Sequence, residues 1–534
     1  MHPTSLPGSA GIGTLGKGAF EFIDFLEKAG MKLWQVLPLG PTGYGDSPYQ
    51  SFSTFALNPL LIDFDDLVEK GWATSELVKK PSYIKSKGNV DFGAVGWWKM
   101  NALKEIAKYF LELIKNPEAA AEGFDPNTKA EFFKFCRDNQ YWLKDYAAFM
   151  SIKSFYDAKA QKEAEEKKCA VNGSWNVYWD KKLAKHNEQA VEKWINAHSE
   201  DFLQTEVIQF FAAKQWACVH EYASAKGIQI VGDVPIFVAA DSSDVWANQK
   251  MFQIDKDGNF SAVAGVPPDY FSATGQLWGN PLYNWKNLKK DGYSWWIARV
   301  KKMLSLVDYV RIDHFRGFES YWAVPFGSEN AINGKWEKGP GIDLFNAIKA
   351  ELGDLPLIAE DLGIITDEVR KLRDESGLPG MKVLQFAFDK NEWKAGALKN
   401  AFLPHNFETV NCVAYTGTHD NDTTQGLLES FDDETLVLIA DYFTGEKNSV
   451  ESARKLVKGK KLTKEFVRAV LSSTATIAII PLQDVYALSS ETRMNMPSTS
   501  GANWAWRASE NMIKGEKAEK SAAWLKELCV LYAR

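Results

Sequence analysis

The sequence has few of the features that tie a chain to a membrane or to an oxidising compartment. Only five of its 534 residues are cysteine, and no two form a C-x-x-C pair, which favours free thiols in a reducing environment. No run reaches the roughly 18 consecutive apolar residues of a membrane span. The first residues, MHPTSLPGSAGIGTLG, also lack the basic segment and apolar core of a secretory signal. These absences predict a cytoplasmic protein.

Neither sign of charge predominates strongly, because 62 lysine and arginine residues face 69 aspartate and glutamate residues and give a net charge of −7. A mildly acidic chain has no basic footprint for nucleic acid or for an anionic membrane surface, so we expect neither as a partner. Aromatic residues, in contrast, are plentiful, with 20 Trp, 18 Tyr and 32 Phe. Most of them should fill a large core, and the others offer flat faces that stack on sugar rings.

Eight short apolar runs recur along the chain and end in polar, Gly-marked or Pro-marked sequence. They are residues 33–39, 58–63, 228–238, 307–313, 355–361, 381–388, 411–417 and 476–482. Near-continuous apolar runs of this length are typical of buried parallel strands, and amphipathic helical patterns lie between several of them. The helical patterns include 341–352, 365–377, 433–444 and 515–531. Eight strand–helix units predict an α/β fold, a (β/α)8 TIM barrel.

The spacing of the eight runs is uneven, which predicts two insertions in a single catalytic barrel domain spanning residues 1–534. Residues 66–205 hold aromatic-rich amphipathic patterns, too many for one barrel crossover, so we expect a large, mostly helical insertion subdomain there. Residues 240–290 are rich in Gly, Pro and aromatic residues and predict an ordered loop rather than a helix. We expect this segment to form an active-site loop subdomain at the C-terminal face, where such barrels carry their reactive residues.

Carboxylates follow three of the predicted strands, and the first lies beside an arginine. Arg311 and Asp313 are two apart near the end of the fourth run, so both side chains should point to the same face of the strand. If that face is the barrel interior, the guanidinium favours the ionised carboxylate, which is the form that attacks a sugar carbon. The alternative is a buried ion pair that only holds strands together, since structural pairs also perturb carboxylates.

Glu360 and Asp420 follow the fifth and seventh runs. Glu360 emerges from the apolar residues LPLIA, where desolvation would raise its pKa and keep it protonated, as a general acid requires. The alternative is a solvated loop carboxylate beside Asp361. Asp420 could hold a pair of sugar hydroxyls, or it could belong to an Asx turn in the sequence D-N-D-T. Two carboxylates about 5–5.5 Å apart on neighbouring strands suit retaining glycoside chemistry.

Seven longer segments, spread along the whole chain, carry a family resemblance. They are SLPGSAGIGTLG at 5–16, WQVLPLGPTGYGDSPYQS at 34–51, GDVPIFV at 232–238, GVPPDYFSATGQLWGNPLY at 265–283, VRIDHFRGF at 310–318, IAEDLG at 358–363 and GTHDNDT at 417–423. With these segments in this order, the sequence resembles the amylomaltase, or 4-α-glucanotransferase, family within the wider α-amylase group. The resemblance implies an enzyme that transfers a segment of an α-1,4-glucan to the 4-hydroxyl of an acceptor glucan or glucose, without a cofactor.

The resemblance also implies roles for particular residues. Asp313 would be the nucleophile of a retaining double displacement, Glu360 the acid/base and Asp420 the carboxylate that stabilises the transition state. The substrate-binding residues that it implies are Tyr49, Asp269, Trp278, Arg311, His419 and Asn495.

One segment departs from the family pattern. In RMNMPSTSGANWAWR, at 493–507, Ser498 and Ala502 stand where Gly is common, and Gly reaches backbone angles that Ser and Ala avoid. The shape of this loop over the acceptor site, and with it the length of the products, therefore stays open.

No metal or dinucleotide site is expected. The GxGxxG match at 11–16 follows no strand, which a dinucleotide site requires. Residues 255–259 open like a calcium loop, but Val266 occupies the twelfth position, where a bidentate Glu belongs, so we predict a hairpin turn. Two other functions stay open: a hydrolytic α-amylase with the same three carboxylates, and a glucan-binding protein that has lost turnover.

Overall fold

The computed structural model describes residues 1–116, 124–268, 272–388, 390, 400–499 and 501–534, and eleven strands lie within them. In chain order the strands are β1 (Leu33–Gln35), β2 (Gln229–Pro235), β3 (Ala262–Val266), β4 (Gln276–Pro281), β5 (Tyr309–Asp313), β6 (Ser320–Pro325), β7 (Lys335–Lys338), β8 (Leu357–Ala359), β9 (Gly380–Val383), β10 (Cys412–Tyr415) and β11 (Ile477–Ile479). Seven of these strands run parallel, and the other four form a separate antiparallel sheet.

The parallel strands follow one another in space in the order of the chain. One sheet has the order β1-β2-β5-β8 and the other β9-β10-β11. The two sheets meet where Ala359 N donates to Pro379 O at 2.9 Å, just before β9. Side chains from all seven strands share one apolar cluster, to which they contribute Leu33, Val231, Tyr309, Ile358, Met381, Val413 and Ile477. The residues just after these strands therefore lie around a common centre.

The second apolar run, 58–63, is not a strand, and that prediction was wrong. Pro59–Leu61 is a 3-10 helix, capped by the Asn58 side chain, which accepts from Leu60 N. The flanking backbone pairs with side-chain amides: Gln209 bonds both N–H and C=O of Leu57, and Gln215 does the same at Asp63. These glutamines satisfy the backbone groups that a neighbouring strand would have taken. A proline at the first helical position, with its fixed φ and missing N–H, favours the same outcome.

Helices alternate with the strands and also fill the long intervals between them. In chain order those of the described residues are α1 (Lys17–Lys28), α2 (Phe64–Glu69), α3 (Phe92–Lys115), α4 (Thr128–Asp138), α5 (Gln140–Lys167), α6 (Trp175–Tyr178), α7 (Lys181–Ala184), α8 (Glu188–Ala197), α9 (Ser199–Ala225), α10 (Ser243–Ala247), α11 (Trp285–Lys290), α12 (Ser294–Leu304), α13 (Ile342–Leu352), α14 (Asp367–Glu375), α15 (Thr424–Ser430), α16 (Asp433–Thr444), α17 (Val450–Lys458), α18 (Lys461–Leu471), α19 (Leu482–Val485) and α20 (Glu516–Leu531). The four predicted helices correspond to α13, α14, α16 and α20.

The interval between β1 and β2 is mostly helical because aromatic rings give its helices a core of their own. Phe110 of α3 contacts Phe132 of α4 and Phe211 of α9, with ring centroids 5.9 and 5.1 Å apart. Trp72 stacks on Phe210 and Phe211 of α9 at 5.4 and 5.3 Å. Because α9 also carries the two glutamines that bond the 57–63 segment, it joins this helical core to the parallel strands.

Residues 240–290 contain more regular structure than the predicted ordered loop. They supply α10, α11 and the strands β3 and β4, which join β6 and β7 in an antiparallel sheet of order β4-β3-β6-β7. Residues 255–259 form a hairpin turn between Ile254 and Phe260, which make an antiparallel bridge. The Asp255 carboxylate accepts from backbone N–H groups inside that turn, which confirms the predicted hairpin. Among the described residues, no helix is long and apolar enough to cross a membrane.

Lys99 generates a prediction about stability. Its side chain is fully buried on α3 and its Nζ donates to Ile62 O at 2.6 Å. Burial, opposed in part by the charge of Asp63, lowers its pKa from 10.5 to about 7. Between pH 7 and pH 10 the unfolded chain therefore binds the proton more tightly than the folded chain, so the stability due to Lys99 rises with pH, by about 1.4 kcal/mol per unit at most. We expect the melting temperature of the wild type to rise relative to that of Lys99→Met between pH 7 and pH 10.

Lys104→Met, at an exposed position of the same helix, is the matched control. Thermal unfolding followed by circular dichroism at four pH values measures the differences. A difference between wild type and Lys99→Met that does not vary with pH would contradict the prediction.

Candidate active site

Arg311 joins two carboxylates at the ends of neighbouring strands. Its Nη1 donates to Asp233 Oδ2 at 2.6 Å and its Nη2 to Asp313 Oδ1 at 2.8 Å. The register of β2 and β5 produces this arrangement, because Asp233 is opposite Arg311 and Pro235 is opposite Asp313. The side chains of Arg311 and Asp233 are 5% and 0% exposed, whereas that of Asp313 is 27% exposed. Asp313 is thus the one carboxylate of the three-residue cluster that a bound molecule can reach.

Asp233 was not singled out from the sequence, although the structure makes it part of the site. It lies within the apolar run 228–238, at a strand end like the carboxylates that were selected. Its Oδ2 accepts from both Arg311 and the hydroxyl of Tyr49, the latter at 2.9 Å. The Tyr49 ring in turn stacks on the His419 ring, with centroids 5.1 Å apart and planes at 16°. The available signal was a lone carboxylate inside an apolar run, two residues before the end of β2.

Glu360 leaves β8 at the level where Asp313 ends β5. Ile312 is paired with Ala359 in the parallel ladder, so the next residues of the two strands are neighbours. The Glu360 carboxyl group accepts from His314 N at 2.8 Å and from Leu362 N at 2.9 Å. Burial is the largest of the causes that together raise the pKa of Glu360 to about 8; the charge of Asp313 also raises it, while Arg311 and the two N–H groups lower it. The raised pKa favours the protonated carboxyl group at neutral pH, the state that a general acid needs.

His314 has an unusual backbone that serves this contact. Its φ is 55°, in the left-handed region that non-glycine residues rarely adopt. In this conformation its N–H points at the Glu360 carboxyl group. Strained backbone of this kind is often found at functional sites, where the surrounding structure holds it.

Asp420 lies in the loop after β10 and is held from the loop 493–507. Asn495 Nδ2 donates to Asp420 Oδ1 at 2.6 Å, and Arg493 Nη2 donates to the main-chain oxygen of Asp420 at 2.6 Å. His419 Nε2 is 3.4 Å from Asp420 Oδ2, and the Asp420 side chain is 46% exposed. Asn495 therefore contacts one of the three carboxylates directly, and Asp420 still faces the open side of the site.

The antiparallel sheet brings Trp278 to the same region. Its ring makes an edge-to-face contact with the ring of His314, with centroids 4.8 Å apart and planes at 82°. His314 is the residue immediately after Asp313. Asp269, the remaining predicted substrate-binding residue, lies outside the described residues. Within the described part of the chain, no group of three His, Cys, Asp or Glu side chains is arranged to hold a metal ion.

The loop 493–507 contains the two positions that depart from the family pattern. Ser498 and Ala502 have φ values of 64° and 58°, which are backbone conformations that favour glycine. The loop therefore keeps the shape that glycines would allow, at the cost of local strain of about 1 kcal/mol per residue.

Comparisons with known proteins agree over nearly the whole chain. A family model described as 4-alpha-glucanotransferase matches residues 1–512. The 4-alpha-glucanotransferase of Clostridium butyricum is 43% identical over 527 residues, covering 97% of this chain and 98% of the relative. That of Thermus thermophilus is 43% identical over 529 residues, covering 99% and 97%.

Solved structures give the same result. The amylomaltase from Streptococcus agalactiae in complex with acarbose superposes with a TM-score of 0.87 at 36% identity, covering 100% of this chain and 98% of that one. The amylomaltase from Corynebacterium glutamicum shares the α/β fold, with a TM-score of 0.70 at 15% identity. That match covers 98% of this chain and 74% of the Corynebacterium chain. The chain therefore belongs to the 4-alpha-glucanotransferase family, whose members move a segment of an α-1,4-glucan from one chain to another.

Proposed function

We propose that this chain transfers glucan segments by a retaining double displacement, with Asp313 as the nucleophile and Glu360 as the acid/base. The observation that carries the proposal is a pair of unlike carboxyl groups at the ends of neighbouring parallel strands. Asp313 is partly exposed and held by a guanidinium, whereas burial raises the pKa of the Glu360 carboxyl group and favours its protonated form. Two carboxyl groups in such different environments can divide the roles of nucleophile and proton donor.

The reaction has two steps. In the first, Glu360 protonates the glycosidic oxygen while Asp313 attacks the anomeric carbon, which releases one part of the donor and forms a β-linked glucosyl-enzyme. In the second, the ionised Glu360 takes the proton of an acceptor 4-hydroxyl, whose oxygen attacks the anomeric carbon and displaces Asp313. An α-1,4 bond forms again, Glu360 recovers its proton, and no cofactor enters the balance.

Asp420 is assigned the stabilisation of the transition state, through hydrogen bonds to two hydroxyls of the distorted sugar. Its half-exposed carboxylate beside the ring of His419, whose side chain is 11% exposed, supports this role. Arg311 is fully engaged by Asp233 and Asp313, which supports a role in holding the nucleophile next to the bound sugar. The substrate-binding residues of the proposal are Tyr49, Asp269, Trp278, Arg311, His419 and Asn495.

The architecture proposed around this site is a (β/α)8 barrel in one catalytic domain, 1–534. Support comes from the seven parallel strands in chain order with one shared interior cluster. Residues just after β1 and just after β11 line a common cavity, which supports closure between the first and last strands. Residues 66–205 would be its helical insertion subdomain and 240–290 its active-site loop subdomain.

The proposed donors and acceptors are α-1,4-glucans and maltooligosaccharides. The activity of the family supports this choice, as does the acarbose bound to the similar Streptococcus agalactiae enzyme. A hydrolytic α-amylase would need the same three carboxylates and would differ only in using water as the acceptor. A binding protein without turnover would need none of them in a reactive state.

Incubation with maltotriose separates these three functions. We expect a ladder of longer oligomers together with glucose, because transfer elongates one maltotriose at the expense of another. Maltose and glucose alone would indicate hydrolysis, and unchanged maltotriose would indicate binding only.

Asp313→Asn should lower turnover by at least about 10³-fold, since the amide fills the space but cannot form the ester. Asp308→Asn is the control, because Asp308 immediately precedes β5 and lies at the opposite end of that strand from Asp313. More than a few per cent of wild-type turnover in Asp313→Asn would refute the assignment.

A second prediction concerns the choice between acceptor sugar and water. Strand β4 of the segment 263–283 and the loop 493–507 both contact the site, the first through the ring contact of Trp278 with His314 and the second through the bond of Asn495 to Asp420. A cover of this kind can stack an acceptor sugar and displace water from the glucosyl-enzyme. Trp278→Ala should therefore lose transfer more than donor cleavage, so the ratio of reducing ends released to oligomers elongated should rise.

Measuring both products from maltotriose gives this ratio directly. Leu277→Ala is the matched control, because Leu277 precedes Trp278 on β4 and its side chain points to the opposite face of the strand. An unchanged ratio in Trp278→Ala would mean that the acceptor preference arises elsewhere.

A further inference from the structure

The loop that carries His419 and Asp420 borders a cavity. Residues on both sides of Asp420 line this cavity, whose other walls include Arg311, Ile480 and Met494. On this side the loop faces the cavity rather than packed side chains. Hydrogen bonds between the loop and its surroundings therefore contribute to the position of Asp420.

A buried carboxylate outside the proposed reaction makes three of those bonds. Asp484, on α19, is 1% exposed and lines the inner wall of the same cavity. Its Oδ1 accepts from Thr424 N at 2.8 Å. Its Oδ2 accepts from the hydroxyls of Thr416 at 2.5 Å and Thr424 at 2.8 Å. Thr416 precedes His419 and Asp420, and Thr424 follows them, so one carboxylate ties both ends of the loop.

The opposite side of the loop is held by Gln385, which follows β9. Its Nε2 donates to Asp422 O at 3.0 Å and to Thr424 Oγ1 at 3.2 Å. Gln385 also lies so close to Gly417 that a Cβ there would come within 2.5 Å of its amide nitrogen. The loop is thus fixed from the β9 side by an amide and from the β11 side by a carboxylate, with Asp420 between them.

We propose that Asp484 is a positioning residue that sets the placement of Asp420 by tying together the two ends of its loop. The proposal rests on the transition-state role that the proposed function gives to Asp420. Carboxylates that accept three hydrogen bonds in a buried setting fix their donors in one geometry, and misplacement of a reacting group by about 1 Å can cost about 10²-fold in rate. A buried anion with only a folding role would leave the reaction unaffected once the protein is folded.

The test removes one of the three bonds without changing volume. Thr416→Val deletes the hydroxyl that donates to Asp484, and Asp484→Ala removes the carboxylate itself. Thr463→Val is the matched control, because Thr463 is also fully buried and donates one hydroxyl bond to a buried acceptor, Gln425. Turnover and KM are measured with maltotriose and with α-maltosyl fluoride, a donor that needs no proton to leave.

We expect Thr416→Val to lower kcat about tenfold on both donors with little change in KM, and Thr463→Val to leave kcat within about twofold. Asp484→Ala should lower kcat further, and if it fails to fold, Thr416→Val alone still decides. The deciding comparison repeats Thr416→Val in an Asp420→Asn background with the fluoride donor. In that background Thr416→Val should lower kcat by less than about twofold, because a misplaced loop cannot remove an Asp420 interaction that is already absent.

Equal losses from Thr416→Val in the two backgrounds would overturn the positioning role and leave the proposed function standing. Wild-type turnover in Asp420→Asn alone would overturn the transition-state role of Asp420 and with it the positioning role, because Asp420 would then have nothing to be positioned for; the roles of Asp313 and Glu360 are tested separately.

Discussion

The buried guanidinium of Arg311, shared between Asp233 and Asp313, is the interaction on which the rest of the site depends. It bridges β2 and β5 between the parallel strands. The side chains of Arg311 and Asp233 are shielded from water there, whereas that of Asp313 is partly exposed. Breaking a buried ion pair by removing one partner costs about 3–5 kcal/mol, because the remaining charge stays desolvated. Arg311 bonds only Oδ1 of Asp313, so the rest of that carboxylate stays accessible from the site. Holding the strands together and presenting the Asp313 carboxylate to the site are therefore two results of one arrangement.

The parallel ladder extends this arrangement to Glu360, whereas Asp420 is held in a different way. Pairing of β5 with β8 fixes the level at which Asp313 and Glu360 leave their strands, and the left-handed His314 supplies an N–H to the second carboxyl group. Asp420 lies on a loop instead, and side chains from separate segments hold it, among them Asn495 and the buried Asp484 acting through Thr416. Two carboxyl groups are thus placed by the sheet and the third by a hydrogen-bond network.

The parts that followed from the sequence were those with local signals. Apolar runs gave all seven parallel strands of the described residues, amphipathic periods gave α13, α14, α16 and α20, and the Arg–Asp spacing gave the contact of Arg311 with Asp313. The run 58–63 was misread because its pairing partners are glutamine side chains about 150 residues away, which no local pattern reveals. The bonds of Asp233 to Tyr49 and of Asp484 to Thr416 were missed for the same reason, since the sequence around a carboxylate does not indicate which distant residue it will bond. The family resemblance supplied the subsite residues.

Trapping the glycosyl-enzyme tests the central claim, that Asp313 and Glu360 divide the roles of nucleophile and proton donor. Glu360→Gln should still cleave α-maltosyl fluoride, because fluoride leaves without protonation, but it has no base to activate an acceptor, so the covalent species should accumulate. Intact-mass spectrometry should then show the protein heavier by one maltosyl group, and peptide mapping should place that group on Asp313. The unmodified mass, or an adduct on another carboxylate, would contradict the account.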